Sequence, residues 1–204
     1  MPSELISVTE ARRLIESHVL LLGSVKVALM DASGLVLSDD VYSKTDVPPF
    51  NQSSMDGYAI NYDSWKKLGE LRIVGEVAAG SAAEERLEIQ NAVRIFTGAP
   101  VPRGADTVVM QEKVALRGGS LIIEDENLAK GMNFRERGSE IKSGAIALEK
   151  GVIMSPAAIG YLAGVGVNEI NAYPTPSVSI ILTGDELQEP GKALKHGQVY
   201  ESNS

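Results

Sequence analysis

Residues 48–58 read Pro48-Pro49-Phe50-Asn51-Gln52-Ser53-Ser54-Met55-Asp56-Gly57-Tyr58. Two adjacent prolines make a rigid corner, because each ring locks φ and removes a backbone donor. Behind the corner a lone carboxylate, Asp56, sits among hydroxyls and amides and directly before a glycine. Loops of this composition position chemistry more often than they fill a core. Two other segments repeat the pattern. Thr97-Gly98-Ala99-Pro100-Val101-Pro102 follows the apolar run 93–96, and Thr183-Gly184-Asp185-Glu186 follows the apolar run 178–182. Three strand-to-loop exits, each with a hydroxyl or carboxylate beside a glycine, predict one polyanion and metal site assembled from separate segments.

The segments around these loops have readable periods. Ser7 and Glu10 have the capping-box form, and Ala11, Leu14, Ile15, His18, Val19 and Leu22 recur at helical spacing up to Gly23, which predicts an amphipathic helix with His18 packed in a core. Val25, Val27 and Leu29 alternate as a strand does, with a turn at Asp31-Ala32-Ser33-Gly34 and a short apolar piece at 35–37. From 71 to 123 the period is that of strands, at 71–77, 93–96, 107–110 and 121–123. The gaps hold Gly80, Pro100, Pro102, Gly104 and the pair Gly118-Gly119, so this stretch reads as a small all-β module with a hairpin at the glycine pair. Ser155 followed by Pro156 opens a short helix rich in small residues, which predicts close packing against another element. Tyr173-Pro174-Thr175-Pro176 is a stiff linker, and 178–182 reads as a parallel strand buried on both faces, opening an α/β domain.

Composition bounds the function. The chain has 204 residues, 44% of them hydrophobic, enough for a real core. It has no apolar run near the roughly 18 residues of a membrane span, and Met1-Pro2-Ser3-Glu4 lacks the features of a signal peptide, so the expectation is a cytoplasmic protein that does not enter a membrane. Zero cysteines exclude disulfides, thiolate nucleophiles and iron–sulfur clusters, and only His18 and His196 are present for imidazole chemistry. A formal charge of −8 argues against nucleic acid as a partner, since lysine and arginine must neutralise phosphates there.

The quoted motifs together resemble the molybdopterin molybdenumtransferases, represented by bacterial MoeA and the E domain of gephyrin. The resemblance rests on Ser54-Met55-Asp56-Gly57-Tyr58 and on 96–100 with Pro102, Gly104, Ala105 and Asp106. It continues through 108–112, then Arg137, Gly138 and Glu140, then 183–187 with Pro190, Gly191, Gly197, Gln198, Tyr200, Ser202 and Asn203. Such a family implies magnesium-dependent insertion of molybdate into adenylylated molybdopterin with release of AMP, in elongated homodimers of chains about twice this length. The fold it implies is an α+β multidomain one. A discontinuous helical linker domain (1–47 with 132–173) would carry an inserted all-β domain (48–131), and 174–204 would begin an incomplete α/β molybdopterin-binding domain. A chain of this extent is then expected to be a fragment, inactive alone. A molybdopterin adenylyltransferase is a further expected partner.

The resemblance points to Asp56, Thr97, Glu140 and Glu186 as functional residues, with glutamate at 140 where the family leads one to expect aspartate. Asp56, Thr97 and Glu186 are the expected catalytic residues. Asp56, Glu186 and Asp185 are the expected magnesium ligands, because that ion takes oxygen donors and needs only one or two carboxylates beside phosphate and water. Ser54, Gly57, Gly98, Arg137 and Glu140 are expected to bind substrate. Gly57 and Gly98 would let backbone N–H groups approach an anion, Thr97 would offer its hydroxyl to molybdate, and Arg94, Arg135 and Arg137 would balance phosphate charge.

Each residue also has a plainer role. Asp56 could cap the turn at Gly57, Thr97 could end a strand, and Asp185 could cap a following helix. Glu140 could join a solvated ion-pair cluster with Arg135, Arg137 and Lys142. Met55 reads as a packing residue, and the acidic groups 84–85 and 124–126 as solvated loops. A non-catalytic dimerisation or scaffold module is the alternative function.

Overall fold

The computed structural model describes residues 6–81 and 86–202. Glu84, Glu85, Asn203 and the first five residues lie outside the described ones. The chain divides into two compact units, Met1–Gly23 with Tyr173–Ser204, and Ser24–Ala172. The first unit opens with α1 (Val8–His18), whose cap, Ser7, accepts a hydrogen bond from the Glu10 N–H at 3.1 Å.

Along the second unit, β1 (Val25–Ala28) runs into a turn of 3-10 helix at Leu29–Asp31, then the short strands β2 (Val36–Leu37), β3 (Val41–Tyr42) and β4 (Gln52–Ser53). The middle holds β5 (Gly57–Ile60), α2 (Tyr62–Leu68), β6 (Glu70–Val77), β7 (Asn91–Ile95), β8 (Thr107–Met110), β9 (Val114–Arg117) and β10 (Ser120–Ile123). After these come β11 (Phe134–Arg135), β12 (Ile146–Leu148), α3 (Pro156–Gly164) and β13 (Glu169–Tyr173). Back in the first unit, β14 (Leu187–Gln188) pairs in parallel with β15 (Val199–Tyr200).

Six strands form one sheet in the order β8-β5-β7-β6-β10-β9. Neighbours are antiparallel except β6 and β7, which are parallel. Successive side chains of a strand face opposite sides, and here both sides are covered. Tyr58 and Ile60 join Trp65, Leu71, Val109, Leu121 and Leu128 in one apolar cluster. Ala59 joins Leu87, Val93, Ile95, Ala99, Val101 and Val108 in the other. All four residues of β5 are therefore buried, so the strand that leaves the Asp56 turn is a fixed support. The Gly118-Gly119 pair closes the β9–β10 hairpin with φ of +56° and +89°, values that glycine adopts without a Cβ penalty. A third cluster gathers Leu29, Leu37, Met154, Leu162, Val165, Val167 and Ile170 from the two ends of the unit.

Several expectations change. Leu29 belongs to the 3-10 turn and not to a strand, since its N–H donates to Asn168 and the chain bends there. His18 is exposed and its Nδ1 lies 2.7 Å from the Leu14 carbonyl; no residue of α1 is buried, so the periodicity marks an apolar face and not a core position. The helix α3 does pack against another element, Ala158, Ile159 and Leu162 meeting the third cluster, although Gly160 and Gly164 have nothing within 4 Å of a Cβ position. The run 178–182 is exposed and carries no strand: a strand needs a bonded neighbour, and among the described residues none pairs with it. Asp185 caps no helix, because 185–186 form a turn that leads directly into β14. Met55 is 42% exposed at the tip of its turn, where no core is available to pack it. Among the described residues no helix is long and apolar enough to cross a membrane.

Candidate active site

The Asp56 turn and the Thr97 turn meet. Strand β4 places Ser53, whose hydroxyl donates to the Met55 carbonyl at 2.7 Å and tightens the turn ahead of Asp56. Strand β7 ends at Ile95 opposite Gly57, which brings Thr97 beside Asp56. Thr97 then grips one oxygen twice: its N–H donates to Asp56 Oδ1 at 2.7 Å and its hydroxyl to the same oxygen at 2.8 Å. Among the described residues no hydrogen bond is donated to Oδ2. Asp56 is exposed, and the Thr97 N–H first, then the Thr97 hydroxyl and the charge of Arg94, hold its carboxyl below the usual range.

Gly57 has a steric reason. A Cβ there would stand 1.9 Å from the Val109 carbonyl oxygen of β8, a contact no side chain can make. Gly98 has φ of +83°, and its N–H already donates to the Ser53 carbonyl at 2.9 Å while its own carbonyl accepts from Gln52 Nε2 at 3.2 Å. That amide is therefore committed to holding the two turns together. The Thr97 hydroxyl proton is likewise committed to Asp56. The Ser54 hydroxyl has no hydrogen-bond partner among the described residues, and its N–H donates to the Asn133 carbonyl at 3.0 Å.

Arg94 lies against this turn. Its guanidinium stacks 5.2 Å from the Tyr58 ring centroid and 5.0 Å from that of Phe96, and Nη1 donates to the Gly57 carbonyl at 3.3 Å. Nη2 donates to Gln111 Oε1, and Gln111 Nε2 in turn donates to Glu112 Oε1 at 3.0 Å. The Gln111 side chain first, then the Glu112 backbone N–H and Arg94, lower the Glu112 carboxyl, while the charge of Asp56 opposes them.

A second group flanks β4 on its other side, where β11 pairs with it through Arg135 and Gln52. Arg137 donates from Nε to Asp46 Oδ2 at 2.6 Å, and the Ser143 N–H donates to Oδ1 of the same carboxylate at 2.8 Å. The Ser143 N–H first and Arg137 second hold Asp46 below the usual carboxylate range. Glu140 pairs with Arg135 at 3.2 Å, both more than half exposed, the arrangement of a solvated ion pair. No hydrogen bond or ion pair joins this group to Asp56 or Thr97 among the described residues. Asp185 and Glu186 belong to the unit of 173–204, where both are exposed and the Glu186 carbonyl accepts from the Val199 N–H at 2.8 Å. Asp46, Gln111 and Glu112 are the site neighbours that sequence reading misses. The only sequence cue is that Gln111 and Glu112 end the quoted run 108–112.

The residues carrying this geometry match a known family. Residues 6–166 fit the model described as the MoeA N-terminal region, domains I and II. The chain belongs to the MoeA family. It is 37% identical over 175 residues to a molybdopterin molybdenumtransferase of Haemophilus influenzae, covering 86% of this chain and 43% of that protein. It is 36% identical over 205 residues to molybdopterin molybdenumtransferase 2 of Mycobacterium tuberculosis, covering 97% of this chain and 50% of that one. A crystal structure of a molybdopterin biosynthesis MoeA protein from Pyrococcus horikoshii aligns with a TM-score of 0.86 at 32% identity, over 98% of this chain and 55% of the other. This chain thus spans about half the length of its MoeA relatives. Asp56, Thr97, Arg137 and Glu140 fall inside the matched MoeA region, whereas Asp185 and Glu186 lie beyond it.

Magnesium can be tested against the donors present. Among the described residues no group of three or more histidine, aspartate or glutamate side chains gathers as a cation cage. Asp56 offers Oδ2, with Glu112 near enough to feel its charge. That donor set fits an ion that takes one or two carboxylates and completes its shell from substrate phosphate and water.

Proposed function

We propose that this chain contributes the Asp56–Thr97 site to molybdenum cofactor biosynthesis, in the insertion of molybdate into adenylylated molybdopterin with release of AMP. The observation that carries the reading is the double grip of Thr97 on Asp56 Oδ1, which holds an exposed carboxylate in one orientation and leaves its second oxygen without a donor among the described residues. The family match and the names of the relatives support the reaction class.

Molybdate and an adenylate are both anionic, so bringing them to Asp56 costs Coulomb repulsion. Bound magnesium would supply positive charge between the carboxylate and the substrate oxygens. The chain's own residues do the rest. Thr97 orients Asp56, the Ser54 hydroxyl donates to an arriving oxyanion, and Arg94 offsets negative charge from its seat between two aromatic rings. Arg137 and Glu140 bind substrate at the far side of β4, and Gly57 and Gly98 hold the two turns in the shape that presents Asp56. No side chain acts as nucleophile; position and charge drive the attack on the adenylate phosphate.

The proposed organisation is a linker domain of 1–47 with 132–173, an inserted β domain of 48–131, and a molybdopterin-binding domain beginning at 174. The proposed setting is cytoplasmic, with a molybdopterin adenylyltransferase handing over the substrate. The exposed apolar face of α1, including Val8, Leu14 and Ile15, supports a homodimer. A monomer mass in light scattering would contradict the dimer.

The test of the activity is AMP release from adenylylated molybdopterin with molybdate and magnesium. The 204-residue chain alone is expected to release none, and the chain joined to the C-terminal half of the Haemophilus influenzae relative is expected to turn over. A folded but inactive fusion, or robust turnover by the chain alone, would contradict the proposal.

A further inference from the structure

One side chain in this region has a two-sided contact that the proposed reaction leaves unused. Gln111 accepts from Arg94 Nη2 with Oε1 and donates to Glu112 Oε1 with Nε2 at 3.0 Å. These contacts settle which way the amide points, because only the oxygen can accept from a guanidinium and only the nitrogen can donate to a carboxylate. The backbone of the same residue reaches the Asp56 turn, its N–H donating to the Asp56 carbonyl at 3.1 Å. Arg94 closes the circle by donating to the Gly57 carbonyl at 3.3 Å. Strand pairing sets the frame, with Gly57 opposite Met110 on one side and Tyr58 opposite Arg94 on the other. The charged groups acting on these carboxylates are Arg94 on Asp56, and Asp56 with Arg94 on Glu112.

We propose that Gln111 is a positioning residue of the Asp56 site: its side-chain amide, clamped between the Arg94 guanidinium and the Glu112 carboxylate, fixes one cation against two carboxylates and so presets the charge pattern that an oxyanion substrate meets. The proposal rests on the Asp56 reading for its functional meaning and on geometry alone for the clamp. Tyr58 and Phe96 limit where the Arg94 guanidinium can stand, but ring faces do not stop it rotating about its own axis. Two hydrogen bonds do, from Nη1 to the Gly57 carbonyl and from Nη2 to Gln111 Oε1.

NMR on the unliganded 204-residue chain tests the clamp without any turnover. The readouts are the chemical shifts and water-exchange rates of the Arg94 Nη protons. The Gly57 carbonyl holds Nη1 and Gln111 Oε1 holds Nη2, so in Gln111→Leu the Nη2 protons are expected to exchange faster while those on Nη1 keep their shift. Thr97→Val should leave both unchanged. If Gln111→Leu fails to fold, Gln111→Glu serves in its place: it keeps an acceptor for Arg94, so Nη2 should stay protected. Unchanged Nη2 exchange in a folded Gln111→Leu, or Nη2 exchange as fast as in free arginine in Gln111→Glu, would overturn the proposal. Failure of AMP release in the fusion would leave these outcomes as they stand, so the two readings fail separately.

Discussion

Gly57→Ala is the sharpest structural perturbation next to Asp56. The added Cβ would stand 1.9 Å from the Val109 carbonyl oxygen and 2.8 Å from its carbon, against 3.4 Å for an ordinary contact. The shortfall of about 1.5 Å falls on backbone of β8 and not on a side chain that could swing aside. Overpacking of a core by a methyl or so typically costs about 1–3 kcal/mol. Here the obstacle is a strand paired to β5 on the opposite side from β7, so the cost belongs at the upper end, about 3 kcal/mol or more. At roughly 2–4 °C per kcal/mol for a chain of this size, the Tm should fall by about 6–12 °C. Gly75→Ala is the control, since it also lies in a strand but its Cβ would meet nothing nearer than Val93 Cγ2 at 4.0 Å. Thermal unfolding followed by circular dichroism reads both. A Gly57→Ala Tm within about 1 °C of wild type would refute the reasoning that sterics require glycine here.

Asp46→Asn tests the second group through pH. The Ser143 N–H and Arg137 hold the folded Asp46 carboxyl below its ordinary value of 3.8, so its contribution is full above that value and is lost as pH falls through the folded one. The stability gap between wild type and Asp46→Asn in urea unfolding should therefore be largest near neutral pH and close in strong acid; a gap that widens in acid would contradict it. Ser155→Ala removes the acceptor that takes the Ala158 N–H at 3.2 Å, and it should cost about 1 kcal/mol in the same assay. No change would mean that α3 does not depend on its cap.

Much of the fold is legible in the sequence where local chemistry decides it. The β-branched runs at 71–77, 93–96, 107–110 and 121–123 become β6, β7, β8 and β10 within a few residues, and Ser155 with Pro156 opens α3 where capping chemistry requires. What is not legible depends on partners. α2 has only seven residues, too few for a period to show, and its signals are the Asn61 cap and Gly69 with φ of +77°. The run 178–182 has a strand's composition but no bonded neighbour among the described residues. In the site, the Asp56 and Thr97 turns stand out by their glycines and polar groups, and the structure joins them. Arg94 meets Gln111 across 17 positions and Arg137 meets Asp46 across 91, separations that no local pattern encodes.

The most direct measurement is molybdate-dependent AMP release by the fusion carrying Asp56→Ala. Loss of a preorganised polar group that the reaction uses typically costs about 10²–10³ in rate, so release should fall by at least roughly a hundredfold with the unfolding transition unchanged. Undiminished release from a folded Asp56→Ala protein would reduce the carboxylate to a turn cap and remove the basis of the proposed function.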